Sequence, residues 1–410
     1  MFAGNSENGY WKRNVALFLG GQSLTLIGSS LVQYAIIWYV TLRTGSGVAL
    51  TAFTVVAILP MFFISPFAGV WADRFNRKTL INISDGAIAI VTLFIAICFI
   101  VGYQELWLLW LCAGVRAIGQ GVQMPAVNAF LPSIVPQEHY MRINGINNSI
   151  QSFSTLISPM LAGVILSFMP ITAIFFIDIF TAIAGISILY FFVLSPKKTK
   201  EMAEEKNGIN YFQDIKAGIK YMLSHRWLVW MLVIFAIYYL CFAPLAFLTT
   251  LKVVRDYGGE IWKLTANELV FSIGMILGGL IMSWWGGFKN RMYSMGLSNV
   301  LVGLSTILIG IVPNFLSYLI VMGLLGLFFP LLNVPFTSLV QEKIDASFMG
   351  RVFSVIGMLS SVLMPLSMVI FGPMSDFISL DILLIFTGAI IVVIAFPFFI
   401  SSSLRKAGKS

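Results

Sequence analysis

Two charged residues of this 410-residue chain lie deep inside long apolar segments, where a charge is costly. Arg116 stands in the segment that begins near residue 107, and Asp178 stands in the segment that begins near residue 170. Each alone costs about 2.5–3.5 kcal/mol within a membrane, and their similar depth predicts an ion pair. Because isoleucine and phenylalanine flank it on both sides, Asp178 is equally a candidate carrier of a coupled proton. The sequence leaves both roles open.

Polar side chains recur along one face of the first and fifth apolar segments. The two stripes are Gln22, Thr25, Ser29 and Gln33, and Asn144, Asn147, Gln151, Ser154 and Ser158. Spacings of three and four residues place each set on one side of a helix. Such a stripe either lines a water-filled substrate cavity or only hydrogen-bonds neighbouring helices, and the pattern is the same in both cases.

Residues in other segments extend this candidate substrate cavity. Apolar walls are predicted from four of them: Met124, Tyr238, Tyr239 and Phe242. Asn333 is a candidate contact because Pro330 and Pro335 prevent its helix from completing its backbone hydrogen bonds. The polar groups are amides and hydroxyls, with no lysine and one arginine deep in the segments. We therefore predict a bulky, amphiphilic substrate that is neutral or cationic.

The elements that position these residues are predicted to be membrane-spanning helices. Hydrophobic residues make up 59% of the chain and charged residues only 10%, against about 25% charged in soluble domains. An α-helix crosses the hydrocarbon layer with about 20 residues. Apolar segments of that length start near residues 14, 47, 79, 107, 143, 170, 226, 267, 292, 316, 351 and 378. The sequence thus predicts an all-α polytopic membrane protein with twelve transmembrane helices.

The positions of the basic residues predict the orientation of the chain. The net charge is +8, and most of the 25 lysine and arginine residues fall in alternate connections between the spans. Such residues collect on the cytoplasmic side, so both termini are predicted to be cytoplasmic in a multi-pass plasma (inner) membrane protein. The positive charge is therefore topological and gives no reason to expect nucleic acid as a partner. The three cysteines stand singly within apolar spans, which argues against a disulfide framework or a metal site.

A long polar interruption and an internal repeat divide the chain into halves. We predict an N-terminal six-helix bundle over residues 1–195, a cytoplasmic linker with an amphipathic helix over 196–225, and a C-terminal six-helix bundle over 226–410. Pro125 and Pro335 correspond across the halves, as do Arg142 and Arg351. Duplicated bundles of this kind place a substrate site between them and expose it to each side in turn.

One short connection between two spans carries a cluster of charges. It has the spacing G-x-x-x-D-R-x-x-R-K, contributed by Gly69, Asp73, Arg74, Arg77 and Lys78. A basic loop that only sets the topology would account for the cations but not for the glycine and the acid at those offsets. The spacing resembles the loop signature between the second and third helices of major facilitator superfamily transporters. The resemblance implies a twelve-helix fold of two pseudo-symmetric bundles.

Further strings resemble the drug:proton antiporter branch of that superfamily, which includes macrolide-efflux (Mef-type) proteins. They include Gly21-Gln22-Ser23, Arg116-Ala-Ile-Gly119, Pro125-Ala-Val-Asn128 and Gly350-Arg-Val-Phe-Ser354. The helix 5 signature of the branch departs from its usual form, because Ser158-Pro159 stands where Gly-Pro is expected. The resemblance implies a transporter and not an enzyme, one that exports amphiphilic drugs such as macrolides by alternating access.

The same resemblance implies an energy source and a gate. The proton gradient would drive transport, with no cofactor. Asp73 would dock at the start of the eleventh span in the outward-open state, in a cytoplasmic gate with Arg142 and Arg351. Asp85, in the third span and closer to the cytoplasm, is assigned to this gate network. We expect a monomer that contacts membrane lipids, and an ATP-binding partner protein is left open. A siderophore, lysolipid or metabolite transporter of the same fold, or an uncoupled lipid-flipping or receptor-like scaffold, are the alternatives.

Overall fold

The computed structural model describes residues 7–194 and 211–409, and these are almost entirely helical. The chain forms two compact units: unit 1 contains residues 1–40 and 52–207, and unit 2 contains residues 41–51 and 208–410. The first part of the predicted linker, up to residue 210, lies outside the described residues. Its second part is a helix, α7 (Tyr211–Ser224), that belongs to unit 2. The all-α polytopic fold predicted from the sequence is confirmed.

The helices of unit 1 are long because few residues interrupt them. They are α1 (Glu7–Thr44), α2 (Gly47–Arg74), α3 (Arg77–Ile100), α4 (Leu106–Ile134), α5 (Tyr140–Phe168) and α6 (Ile171–Ser187), which continues as a π-helical turn over Ile188–Phe192. Gly102 ends α3 with φ +91°, a conformation that costs glycine little. Asn76 begins α3, since its side chain accepts hydrogen bonds from the backbone N–H groups of Lys78 and Thr79.

Unit 2 has more helices than unit 1, and most of them are shorter. After α7 they are α8 (Arg226–Ala243), α9 (Thr249–Tyr257), α10 (Ile261–Trp285), α11 (Arg291–Ile309), α12 (Phe315–Phe328), α13 (Pro330–Lys343), α14 (Ala346–Phe377), α15 (Leu380–Val393), α16 (Phe396–Ile400) and α17 (Ser402–Ala407). A π-helical turn that starts at Pro244 joins α8 to α9, and Pro330 separates α12 from α13. Proline lacks the N–H that would continue the helical bonding.

Membrane-length segments can be counted along the described chain and compared with the twelve predicted spans. Eleven segments of the described chain are both long enough and apolar enough to cross a membrane, five of them in unit 1 and six in unit 2. The missing one is α4, which has 29 residues but carries Arg116, Gln120 and Gln123. The charge and amides of α4 make it too polar by that criterion, so the exact count of twelve spans stays a prediction.

Glycines bring α10 and α12 into backbone contact. A Cβ at Gly278 would lie 2.1 Å from the carbonyl oxygen of Leu327, and one at Gly274 would lie 2.2 Å from that of Gly323. Membrane helices lack a hydrophobic driving force for association, so close packing of small residues is a main source of their attraction. The adjacent Gly279 has no neighbouring atom within 4 Å of its Cβ position.

This arrangement predicts different effects of the same substitution at adjacent positions. Gly278→Val should force α10 away from α12 and lower the free energy of unfolding by about 1–3 kcal/mol or more, as overpacking does. Gly279→Val changes the helix propensity equally but should leave the packing intact. The thermal unfolding temperatures of the two purified variants measure the difference. Equal unfolding temperatures would contradict the role assigned to the close contact.

Candidate functional site

Arg116 and Asp178 form a buried ion pair in unit 1. Arg116 Nη1 lies 2.5 Å from Asp178 Oδ2, and both residues are almost fully buried. The Thr92 hydroxyl donates to the same carboxylate oxygen at 3.2 Å and accepts from Arg116 at 2.7 Å. The Ser29 hydroxyl lies 3.5 Å from Asp178 Oδ1, and the Ser29 carbonyl accepts from Arg116 at 3.2 Å. Both carboxylate oxygens are thus engaged, as expected of a pair that is fixed by its surroundings.

Gly28 allows this cluster to form. A Cβ at that position would lie 2.1 Å from the Thr181 hydroxyl and 3.0 Å from Asp178 Oδ1. The close approach of α1 to α6 is what brings the backbone of Ser29 within reach of Arg116. The Ser29 part of the α1 stripe therefore serves the ion pair.

Asp85 is buried differently. It is 5% exposed on α3, and one carboxylate oxygen accepts a hydrogen bond from the Gln123 amide at 2.6 Å. The other oxygen is buried and has no hydrogen-bond partner among the described residues. Asp85 forms no ion pair with any residue of unit 1 that the structure describes. A buried carboxyl group that no bound cation holds in one charge state is able to take up and release a proton.

The other members of the two stripes divide between packing and exposure. Thr25 is buried, bonds to carbonyls of its own helix and packs against Gly185 of α6. Gln22 and Gln33 are half-exposed, and their side chains form no hydrogen bond with a described residue. On α5, Asn147 is half-exposed and Gln151 exposed, whereas Ser154 and Ser158 are buried. Met124 is 48% exposed on α4. The stripes therefore contain both packed and exposed side chains, and the role of the exposed ones in a substrate cavity stays a prediction.

The candidate residues of unit 2 lie on α8 and α13. Tyr238 is buried, its hydroxyl has no partner within the described chain, and its ring stacks on Phe242 at 5.4 Å. Tyr239 is half-exposed. Asn333 is exposed just after the helix break, and its amide lies 3.5 Å from the Phe329 carbonyl. The predicted opening of the helix is thus a break at Pro330, while Pro335 lies inside α13.

The charged loop signature is described in part. The side chain of Asp73 lies outside the described residues, and Gly69 is half-buried with nothing within 4 Å of its Cβ position. Arg77 donates to the carbonyls of Ala72 and Ala129 at 3.1 and 2.8 Å. Lys78 donates to the carbonyls of Tyr190 and Val193, both at 2.8 Å. Arg77 and Lys78 thus donate to backbone carbonyls near the ends of α2, of α4 and of the π-helical turn that follows α6.

The remaining basic residues of the predicted gate lie near helix ends. Arg74 ends α2 and is exposed, and Arg142 is exposed in the first turn of α5. Arg351 of α14 has its guanidinium 5.2 Å from the centre of the Phe348 ring. Tyr221 of α7 stacks on the same ring at 4.3 Å. The docking of Asp73 near Arg351 stays a prediction.

Two polar clusters of unit 2 were not expected from the sequence. Asp376 accepts hydrogen bonds from the backbone of Gly47 and Val48 at 2.7 and 3.1 Å, and it pairs with Arg255 at 2.6 Å. It caps the first turn of α2, where a carboxylate is favoured. An acid at the end of one span and an arginine at the end of another were the only available signals, and neither names its partner.

Lys252 forms the second of these clusters. The sequence places it in a connection, but the structure places it in α9, 2% exposed. It pairs with Asp256 at 2.6 Å and with Asp381 of α15. Its charge is thus neutralised within unit 2, which is why a lysine can be buried there.

Comparison with known proteins decides the family. The model of the Major Facilitator Superfamily matches residues 18–368. The chain belongs to this superfamily. Macrolide efflux protein A of Streptococcus pyogenes is 28% identical over 400 residues, which cover 97% of this chain and 98% of that protein. The protein of the same name from Enterococcus faecalis is 28% identical over 328 residues, 79% of this chain and 100% of its own length.

Solved structures of the superfamily share the fold. The POT family transporter PepTSo has a TM-score of 0.72 at 11% identity, covering 96% of this chain and 98% of its own. A bacterial homologue of the human lysosomal transporter Spinster has a TM-score of 0.67 at 13% identity, covering 99% of both chains. The predicted membership and the resemblance to macrolide-efflux proteins are confirmed. The chain is a multi-pass membrane transporter.

Proposed function

We propose that this major facilitator superfamily member exports amphiphilic drugs such as macrolides in exchange for protons, by alternating access. The observation that carries the proposal is the nearly full-length similarity to two proteins named for macrolide efflux. Both termini would lie in the cytoplasm, as the distribution of basic residues favours. The half-exposed or exposed amides Gln22, Gln33, Gln151 and Asn333 would contact the substrate, each from within its own unit.

The geometry of unit 1 supports proton coupling through Asp85. Asp178 is neutralised by Arg116, whereas Asp85 has an oxygen without a partner among the described residues and no counter-ion in the described part of its unit. We therefore assign the coupled proton to Asp85 and a structural role to the ion pair. One proton that enters down about 100 mV supplies ~2.3 kcal/mol. At ~1.4 kcal/mol per tenfold ratio, this supports a gradient of about fiftyfold.

Proteoliposomes test the proposal directly. With an acidic lumen, a labelled macrolide should accumulate in vesicles that contain the protein, and nigericin should abolish the accumulation. Protein-free vesicles with the same gradient measure the passive trapping of a basic drug, which is subtracted. Macrolide that enters at the same rate with and without the pH gradient would argue against coupling. If the vesicles transport a fluorescent lysolipid and no macrolide, the substrate is a lipid and not a drug.

A further inference from the structure

A second acid lies on the wall of a small cavity inside unit 2. The cavity has a volume of about 150 Å³ and is partly open, since Ala246 and Met275 on its wall are exposed; Glu268 is the one charged residue among the described residues that line it. Most of its wall is apolar, with contributions from Phe242, Phe271, Phe329, Met275, Met322 and Leu325. A cavity of this volume holds a group of roughly benzene size. It is therefore large enough for the head group of an amphiphile but too small for the whole molecule.

The carboxylate of Glu268 is held in place by a chain of buried polar groups. The Asn267 amide nitrogen donates to Glu268 Oε1 at 3.3 Å. The Asn267 carbonyl oxygen in turn accepts from the hydroxyl of Tyr318 at 2.7 Å, and both Asn267 and Tyr318 are buried. Because this bond occupies the oxygen of Asn267, its nitrogen is directed to Glu268.

No cation of the described part of unit 2 neutralises Glu268. The lysines and arginines of this unit that form ion pairs do so with other acids: Lys252 with Asp256 and Asp381, Arg255 with Asp376, Lys263 with Glu260, and Arg291 with Glu342. An apolar wall does not compensate a carboxylate. The group is neutral when protonated, and in its ionised form it is compensated by a ligand that brings a positive charge, whereas an anion would be repelled.

Aromatic rings that line the same cavity as the carboxylate favour one type of cation. The Phe242 and Phe329 rings lie 5.4 Å apart, and the Phe271 and Phe329 rings lie 6.4 Å apart. Alkylated ammonium groups bind to the faces of such rings because their charge is spread over apolar methyl groups. A hydrated ammonium ion or a metal ion would find one carboxylate and few other oxygen atoms here.

We propose that this cavity is a subsite for the alkylammonium head group of a transported amphiphile, with Glu268 as the counter-charge and the three phenylalanines as the wall. The proposal rests on the proposed function, since it assigns a chemical class to the exported substrate. It narrows the expected substrate from neutral or cationic to cationic. The binding of an isolated head group requires no gradient and no transport, so it can be measured separately.

Choline and its neutral isostere 3,3-dimethyl-1-butanol are suitable probes, because they have nearly the same shape and differ in charge. Radiolabelled choline should bind saturably to the purified full-length protein in nanodiscs, as measured by equilibrium dialysis. Glu268→Gln should raise the Kd for choline at least tenfold, about 1.4 kcal/mol. 3,3-Dimethyl-1-butanol should compete at least tenfold less well than unlabelled choline on the wild type, and as well as choline on Glu268→Gln.

Two further variants complete the design. Glu260→Gln removes an exposed carboxylate at the start of the same helix, α10, and should leave the Kd unchanged. Ala246→Trp narrows the cavity without changing any charge and should weaken the binding of both probes. Absence of saturable choline binding to the wild type, or an equal Kd for wild type and Glu268→Gln, would overturn the subsite. Neither result affects the macrolide export assay. If export fails while choline still binds, only the proposed function is refuted.

Discussion

Replacing Asp178 by Asn should yield a protein that unfolds at a lower temperature and reaches the membrane in smaller amounts. The change leaves the Arg116 guanidinium buried without its counter-ion, while Thr92 and the Ser29 carbonyl remain as weaker partners. Removing one member of a buried ion pair costs about 3–5 kcal/mol. Thermal unfolding of the purified protein and its amount in isolated membranes measure the loss.

A second substitution separates lost stability from a lost proton site. The double variant Arg116→Met, Asp178→Leu replaces both charges by apolar side chains of similar size, which is often neutral or stabilising for a buried pair. It should recover much of the unfolding temperature and, if the pair is structural, much of the uphill export. A stable Asp178→Asn protein that binds and exchanges substrate but cannot export it uphill would instead assign the proton to Asp178.

Replacing Asp85 by Asn should abolish uphill export and leave the fold intact. The amide oxygen can keep the hydrogen bond from Gln123, and the other position stays without a partner within the described chain, as in the wild type. Because Asn cannot release a proton, the drug gradient that the wild type builds should fall to none. Exchange of labelled for unlabelled macrolide across the vesicle membrane, which needs no proton, should continue.

The control for this experiment is Glu105→Gln. Glu105 is an exposed acid in the same unit, just before α4, so its loss changes the net charge equally without touching a buried group. It should export normally. If stable Asp85→Asn protein drives uphill export under a pH gradient as well as the wild type does, Asp85 is not the coupling site, and Glu268 is the next acid to examine.

The sequence predicted the type and order of the elements because their signals are local. Apolar segments of about 20 residues indicate membrane helices wherever they occur, and the loop signature from Gly69 to Lys78 depends only on spacing. The lower apolarity of α4 among these helices also has a local cause. That helix carries Arg116 and two glutamines, so its composition is more polar than its length suggests.

Contacts between residues distant in the sequence were harder to predict. Similar depth suggested that Arg116 and Asp178 meet, but depth does not reveal the Thr92 hydroxyl and the Ser29 carbonyl, which complete the cluster. Likewise, helical spacing placed Thr25 and Gln22 on one face of α1, yet Thr25 packs against Gly185 and Gln22 is half-exposed. Spacing gives the face of a helix but not what that face contacts.

By itself, the sequence determined that this chain is a helical membrane transporter of the major facilitator superfamily, since hydrophobic length and motif spacing are properties of consecutive residues. Only the tertiary structure decided which buried acids are neutralised. Asp178 forms an ion pair with an arginine, Asp85 accepts one hydrogen bond from an amide, and Glu268 lines an apolar cavity. All three are acids within apolar helices, but their chemistry differs. The free energy of a buried charge depends on the groups within a few ångströms of it. Folding brings those groups together from distant parts of the chain.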